Sequence, residues 1–182
     1  YGEFIPGHEY AGTIVALGET VDEFQAGQRV SVEAHLGCLR CLNCRRGDYT
    51  ACLNYGNRQK GHRANGFTSN GGYAQYVVNH INTVHPIADS VPIEEASLLT
   101  NVGCVIYGLE TLGTPVAGET VVVIGPGPIG LVTVNVLRAL GAGRVILVGT
   151  RQERLELGRQ LGADLAVLSS QLDPVAAVLD AT

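Results

Sequence analysis

The second half of the chain alternates between apolar runs and helical segments, and this alternation limits its fold more than any other feature. The runs ETVVVIG, GRVILVG and LAVLSS begin at residues 119, 143 and 165. Between them lie the helix-like segments PIGLVTVNVLRALG and RQERLELGRQLGA. Strands that are apolar along their whole length are typical of parallel sheets covered by helices on both faces. The order strand–helix–strand–helix–strand therefore predicts an α/β unit with a parallel sheet.

A glycine-rich loop joins the first strand of this unit to its first helix. In VVVIGPGPIG, three glycines have the spacing G-x-G-x-x-G. The first permits a tight turn, the second lets the backbone approach a pyrophosphate, and the third lets the helix pack against the strand. A structural glycine turn without a ligand is the alternative. Because a strand and a helix flank the motif, we predict a dinucleotide site formed by Gly125, Gly127, Pro128, Ile129 and Gly130.

The first half of the chain has a different pattern. Short runs rich in β-branched residues, GTIVALG, QRVSVEA and GGYAQYVVN, are separated by glycines and polar loops, which is typical of strands. A helix is predicted from Glu94 to about Leu112. We therefore predict an all-β domain over residues 1–92 and an α/β domain over residues 93–182. The chain does not begin with methionine and the βα pattern stops soon after it starts, so we expect both domains to be partial.

Four of the five cysteines lie together in CLRCLNCRRGDYTAC, which begins at residue 38. A disulfide needs a specific approach of two Cβ atoms, and disulfide frameworks belong to small secreted domains with dispersed cysteines. Short Cys-x2-Cys steps instead let thiolates converge on one soft cation. We predict a zinc site, with redox-active or iron–sulfur cysteines as alternatives, and its ligands are Cys38, Cys41, Cys44 and Cys52. Reduced thiolates favour a cytoplasmic location.

Charge and hydropathy argue against two classes of partner. The formal net charge is −5, whereas nucleic-acid-binding proteins usually present a basic face. No apolar run reaches the roughly 20 residues that span a bilayer, so no membrane partner is expected. Arg40, Arg45 and Arg46 in the cysteine loop favour an alternative from another class. This alternative is a non-enzymatic zinc module that binds a protein or a nucleic acid.

Five motifs follow one another along the chain: GHEYAG at 7–12, AGQRV at 26–30, the cysteine loop, GGYAQY at 71–76 and VVVIGPGPIG. In this combination the chain resembles the zinc-dependent medium-chain alcohol and polyol dehydrogenases. The resemblance implies a GroES-like catalytic domain followed by a Rossmann domain. It also implies an oxidoreductase that moves a hydride between a secondary alcohol or polyol and NAD or NADP, and that forms a homo-oligomer. The four clustered cysteines would then hold a structural zinc.

The same resemblance assigns a catalytic zinc to His8 and Glu9 in GHE. In the family this histidine binds the metal, and the adjacent glutamate lies near the metal or binds it. A further family ligand is a cysteine upstream of GHE, which this chain does not contain. Matching LLTNVGCVIYG to the family places Asn101 at the position of a frequent third ligand. Glu9 is therefore the better candidate, and Cys104 is expected in the core.

The end of the second parallel strand predicts which nicotinamide cofactor is used. NAD-binding folds usually have an acidic residue there, about 20 positions beyond the glycine loop. This chain has Gly149, Thr150 and Arg151 instead, which resembles the Gly-Ser-Arg of NADP-dependent family members. Arg151 can supply a charge-assisted contact to a 2′-phosphate, so NADP is favoured. One alternative is that Arg151 only begins a solvated helix and that the enzyme accepts both cofactors. Another is an NAD-dependent, sorbitol-like polyol dehydrogenase.

Overall fold

A computed structural model of the protein describes residues 3–182, and the chain divides into two compact units after Thr100. The predicted domain boundary, between residues 92 and 93, precedes this division. The first unit combines short strands, two short α-helices and three turns of 3-10 helix. Its strands and α-helices are β1 (Ala11–Thr13), β2 (Arg29–Val32), β3 (His35–Gly37), α1 (Leu42–Arg45), β4 (Arg63–Ala64), β5 (Val84–Pro86) and α2 (Ile93–Ala96). The 3-10 turns are Tyr49–Ala51, Arg58–Lys60 and Ile81–Thr83.

Two antiparallel sheets organise the first unit. One has the order β1–β2–β5, with Ser31 paired to Ala11 on one side and to His85 on the other. The other pairs β3 with β4, and its register shifts between His35 and Gly37. This irregularity lies directly before the cysteine loop, so the small sheet fixes where that loop begins.

The second unit contains the predicted parallel sheet, in the order β6–β7–β8. Its elements are α3 (Leu99–Leu112), β6 (Thr120–Ile124), α4 (Pro128–Ala139), β7 (Arg144–Gly149), α5 (Gln152–Gln160), β8 (Leu165–Leu168) and α6 (Pro174–Leu179), with the first two residues of α3 lying in the first unit. The predicted strands and helices after residue 119 all form.

The central strand β7 has hydrophobic side chains buried on both faces. Val145 and Leu147 pack in one cluster with Val134, Leu137 and Leu155 of the two crossover helices. On the opposite face, Ile146 and Val148 pack with Val167 of β8 and with side chains of α6. Each fully buried aliphatic side chain contributes about 1.5–3 kcal/mol. This burial explains why the strand reads as a continuous apolar run.

Three predicted elements differ from the structure. The helix predicted from Glu94 is divided into α2 and α3, and Ser97 donates a hydrogen bond from Oγ to the Glu94 carbonyl (2.7 Å) near the division. Among the described residues, 71–79 form no strand, and GTIVALG is extended only through Thr13. A strand requires a regular ladder of backbone hydrogen bonds with a neighbouring segment. Gly71, Gly72 and Tyr73 donate to residues 5–7, but these bonds do not form such a ladder. None of the helices formed by residues 3–182 has the length and apolar character to cross a membrane.

Candidate functional site

The four clustered thiols converge on one point. Their Sγ atoms all lie within 4.8 Å of one another. The Cys38–Cys44 and Cys41–Cys52 sulfur separations are 3.9 and 4.0 Å. A disulfide would require about 2.05 Å, whereas tetrahedral zinc with Zn–S bonds of about 2.3 Å places its sulfurs about 3.8 Å apart. The donor set therefore fits a four-coordinate zinc ion.

Local backbone geometry brings these sulfurs together. β3 ends at Gly37, whose φ of 70° is in the left-handed region and where a Cβ would lie 2.8 Å from Cys44 Sγ. Leu39 also has a positive φ, of 58°, which turns the chain into α1. Cys41 caps the N-terminus of α1, and its sulfur accepts a hydrogen bond from Cys44 N (3.5 Å). One tight turn therefore presents three of the four thiols.

Hydrogen bonds to sulfur favour the thiolate form. Cys38 Sγ accepts from Cys41 N (3.3 Å) and from Asn54 Nδ2 (3.2 Å). Burial opposes ionisation of Cys38, but hydrogen bonds from the Asn54 side chain and from the backbone amides of Arg40 and Cys41 outweigh it and lower its pKa to about 6. The amide of Cys44 likewise lowers the pKa of Cys41. Burial raises the pKa of Cys52 to about 12, and a bound cation would stabilise its thiolate form.

Asn54 is a contributor to this cluster that the sequence pattern did not identify. Its side chain donates to Cys38, and its backbone amide donates to Cys52 Sγ (3.3 Å). The one feature of the sequence that could have indicated Asn54 is its position, two residues after the last cysteine of the loop. Partners of this kind orient metal ligands and tune their basicity.

The segment that contains His8 is held by close backbone packing. Gly71 N donates to Ile5 O (2.8 Å) and Gly72 N donates to Gly7 O (2.9 Å). A Cβ at Gly71 would lie 2.0 Å from the Gly7 carbonyl oxygen, so only glycine permits this approach. The motifs GHE and GGYAQY, far apart in sequence, therefore lie side by side.

His8 and Glu9 form a half-exposed pair. His8 Nε2 lies 3.8 Å from Glu9 Oε1, and the His8 ring packs against Phe67 with a centroid distance of 4.3 Å. Within residues 3–182, the four cysteines are the one group of three or more histidine, cysteine or acidic side chains placed closely enough to share a metal. The assignment of a catalytic zinc to His8 and Glu9 therefore stays a prediction.

The family's third-ligand segment lies in α3. Asn101, at the ligand position in that match, is buried. Cys104 is exposed, so its predicted place in the core is wrong. The buried residues of α3 are Asn101 and Val105, and Cys104 is rotated by about 100° from Val105 around the helix.

The glycine loop has the geometry that the motif predicts. Gly125 has φ of 100°, and a Cβ at Gly130 would lie 1.9 Å from the Gly125 carbonyl oxygen. Nothing lies within 4 Å of the Cβ position at Gly127, which caps α4. Leu131 N bonds back to Gly127 O (2.9 Å), which leaves the preceding amides of Ile129 and Gly130 pointing out of the helix N-terminus. Such amides are suited to bind phosphate.

The end of β7 lies beside this loop. Gly125 N donates to Val148 O (2.8 Å), and β6 and β7 pair in parallel from Thr120–Arg144 to Ile124–Val148. Gly149 is buried, and Thr150 and Arg151 are exposed directly after it. Arg151 is the N-cap residue of α5. The structure therefore brings the two predicted cofactor-binding segments together, with no carboxylate at positions 149–151.

Comparison with known proteins identifies the family to which both units belong. Residues 1–89 match the family model for the alcohol dehydrogenase GroES-like domain, and residues 128–182 match the model for zinc-binding dehydrogenases. The chain belongs to the zinc-dependent medium-chain dehydrogenase family. The predicted fold class, a GroES-like unit followed by a Rossmann unit, is confirmed by these matches and by the parallel sheet.

Individual relatives and solved structures agree with this family. L-threonine 3-dehydrogenase of Saccharopolyspora erythraea is 38% identical over 161 residues, which are 88% of this chain and 44% of the relative. D-altritol 5-dehydrogenase of Agrobacterium fabrum is 35% identical over 170 residues, 92% of this chain and 48% of the relative. The chain thus spans about half the length of these curated relatives.

Two solved structures have the same fold. Galactitol-1-phosphate dehydrogenase of Escherichia coli matches all of this chain and 51% of its own, with a TM-score of 0.87 and 27% identity. A Sinorhizobium meliloti 1021 protein, provisionally named a zinc-binding dehydrogenase and solved with NADP, matches 96% of this chain and 48% of its own. Its TM-score is 0.87 and its identity is 30%.

Proposed function

We propose that the protein is a zinc-dependent oxidoreductase that transfers a hydride between a secondary alcohol or polyol and NADP. The observation that carries this proposal is the glycine loop between β6 and α4. Its close Gly125–Gly130 packing leaves two outward amides at a helix N-terminus. A loop of this kind, placed after the first strand of a parallel sheet, binds the pyrophosphate of a dinucleotide.

The proposed roles of the other residues follow from their donor atoms. The four clustered cysteines hold a structural zinc that stabilises the loop around α1. His8 Nε2 and a Glu9 carboxylate oxygen are partly exposed and are available to hold a second zinc. That zinc, when bound, supplies a Lewis acid for the substrate oxygen, and the nicotinamide accepts the hydride. Residues upstream of GHE would complete this ligand set, as the family resemblance implies.

The preference for NADP rests on the residues after β7. Gly149 presents no carboxylate that would repel a 2′-phosphate, Thr150 offers a hydroxyl, and Arg151 offers a guanidinium group. A guanidinium group binds phosphate through charge-assisted hydrogen bonds. The solved S. meliloti structure contains NADP, which is consistent with this choice but concerns that protein.

A secondary alcohol is the proposed substrate class. The names of the two curated relatives specify carbon 3 of threonine and carbon 5 of altritol, and both carbons have secondary hydroxyl groups. We further propose a cytoplasmic location, because reduced thiolates suit that compartment. The family resemblance supports a homo-oligomer and gives no support for a nucleic-acid or membrane partner.

A binding experiment tests the proposal directly. The purified protein is titrated with NADP, NAD and a single-stranded oligonucleotide, and NADP-dependent oxidation of threonine and of several polyols is followed by absorbance. We expect saturable NADP binding and oxidation of at least one secondary alcohol. Oligonucleotide binding through Arg40, Arg45 and Arg46, without binding of either nicotinamide cofactor, would establish the non-enzymatic zinc module instead.

A further inference from the structure

Gly149, at the end of β7, has no room for a side chain. A Cβ at this position would lie 2.4 Å from Pro126 Cδ and 2.5 Å from Pro126 Cγ. The Leu155 Cδ2 atom would be 3.3 Å away. The φ angle of Gly149 is outside the left-handed region that favours glycine. Space, and not backbone conformation, therefore restricts residue 149 to glycine.

Pro126 cannot easily move away from this space. Its Cγ and Cδ atoms belong to a ring that is closed on its own backbone nitrogen, so no rotamer change can withdraw them. The loop that contains Pro126 is also held on both sides. Gly125 N is bonded to Val148 O (2.8 Å), and Gly130 packs on the Gly125 carbonyl. Leu155 Cδ2, by contrast, is the end of a flexible side chain.

Position 149 is also where a dinucleotide fold distinguishes its cofactors. A carboxylate at the end of the second strand accepts hydrogen bonds from the ribose hydroxyls of NAD, and the same carboxylate repels a 2′-phosphate. In this chain the ring of Pro126 occupies the space that the first carbon of such a side chain would need. The second residue of the glycine loop therefore determines what the strand end can present to the ribose.

We propose that Pro126 is a specificity-determining residue of the cofactor site, acting as a pair with Gly149. The proline ring excludes every side chain, and hence every carboxylate, from position 149 and so maintains a site that accepts a 2′-phosphate. This inference rests on the proposed nicotinamide-dependent function. A change of preference from NADP to NAD therefore requires substitution of both residues. Substitution of Pro126 alone supplies no carboxylate at position 149, and substitution of Gly149 alone places a side chain against the proline ring.

Thermal unfolding of single and double variants tests the steric part. Gly149→Ala adds only the Cβ atom, and we expect it to lower the Tm by roughly 2–12 °C, as overpacking does in a chain of this size. Pro126→Ala removes the two ring atoms that collide, so Gly149→Ala should cost little in that background. Equal Tm values for Gly149→Ala and the parent, or equal losses in both backgrounds, would overturn the proposed pair.

Binding of nucleotide fragments tests the specificity part without requiring turnover. The dissociation constants of 2′,5′-ADP and 5′-AMP are measured for the parent, Gly149→Asp, and Pro126→Ala/Gly149→Asp. We expect the parent to bind 2′,5′-ADP more tightly, and the double variant to reduce that preference at least tenfold with a Tm near that of Pro126→Ala. Gly149→Asp alone should unfold at a lower temperature than the double variant.

Thr150→Asp is the matched control, because it places a carboxylate one residue later at an exposed position. It should keep the parent's Tm, which separates the steric effect from the effect of charge. A parent that binds neither fragment overturns the proposed function together with this inference. A parent that prefers 2′,5′-ADP, combined with a double variant that is no more stable than Gly149→Asp, overturns this inference alone.

Discussion

Asn54 should control how tightly the cysteine cluster retains zinc. Its Nδ2 atom donates a 3.2 Å hydrogen bond to Cys38 Sγ, while its backbone amide donates separately to Cys52. Asn54→Ala removes the first bond and preserves the second, so the perturbation is one lost donor to one thiolate. Loss of a hydrogen-bonding partner of a metal ligand weakens metal binding about 10–100-fold. We expect the loss of zinc affinity in Asn54→Ala to lie toward the lower end of this range, because Cys38 still accepts a hydrogen bond from Cys41 N.

The assay is competition for zinc between the protein and a colorimetric chelator, read as a dissociation constant. Asn43→Ala is the matched control. Asn43 is also half-buried in this loop, but its Nδ2 atom donates to the Ala51 carbonyl (2.7 Å) and not to a sulfur. We expect the zinc affinity to fall much further in Asn54→Ala than in Asn43→Ala. Equal losses in the two variants would refute the argument, since the effect would then come from loosening of the loop.

We expect four further outcomes. Cys44→Ser should lose about one zinc per chain in metal analysis, and an unchanged zinc content would exclude the cluster as a metal site. His8→Ala should abolish turnover but preserve NADP binding in a fluorescence titration, and retained steady-state activity would exclude a catalytic role. Arg151→Ala should weaken NADP binding about tenfold or more and leave NAD binding unchanged; an unchanged ratio of the two dissociation constants would count against NADP. Tyr49 donates a 2.6 Å hydrogen bond to Glu33, which raises its pKa to about 12. Because the unfolded tyrosine ionises near pH 10, the stabilisation by this bond is complete below that pH and is lost as the pH rises toward 12. The difference in unfolding free energy between the parent and Tyr49→Phe, measured by denaturant titration, should therefore become smaller as the pH rises from about 10 to about 12. A difference that stays constant over these pH values would contradict the prediction.

The parts of the protein that could be predicted from sequence are those with local causes. The strand–helix alternation after residue 119 is an apolar pattern that each element carries within itself. The spacing of the four cysteines requires only one turn and a short helix to bring the sulfurs together. The glycine loop likewise depends on adjacent residues, and Gly125 has the positive φ that its position required. For the cysteines and the glycine loop, the contacts that matter lie within a short stretch of the chain.

Other features were decided by contacts between distant segments. Residues 71–79 have the composition of a strand, but strand formation requires a neighbouring backbone, and composition does not specify one. The donation from Asn54 to Cys38 depends on how the loop returns to β3. The restriction of residue 149 to glycine comes from Pro126, which lies 23 positions earlier in the chain and reaches it only through the parallel pairing of β6 and β7. Sequence patterns report which groups a segment offers, whereas tertiary packing determines which atoms those groups meet.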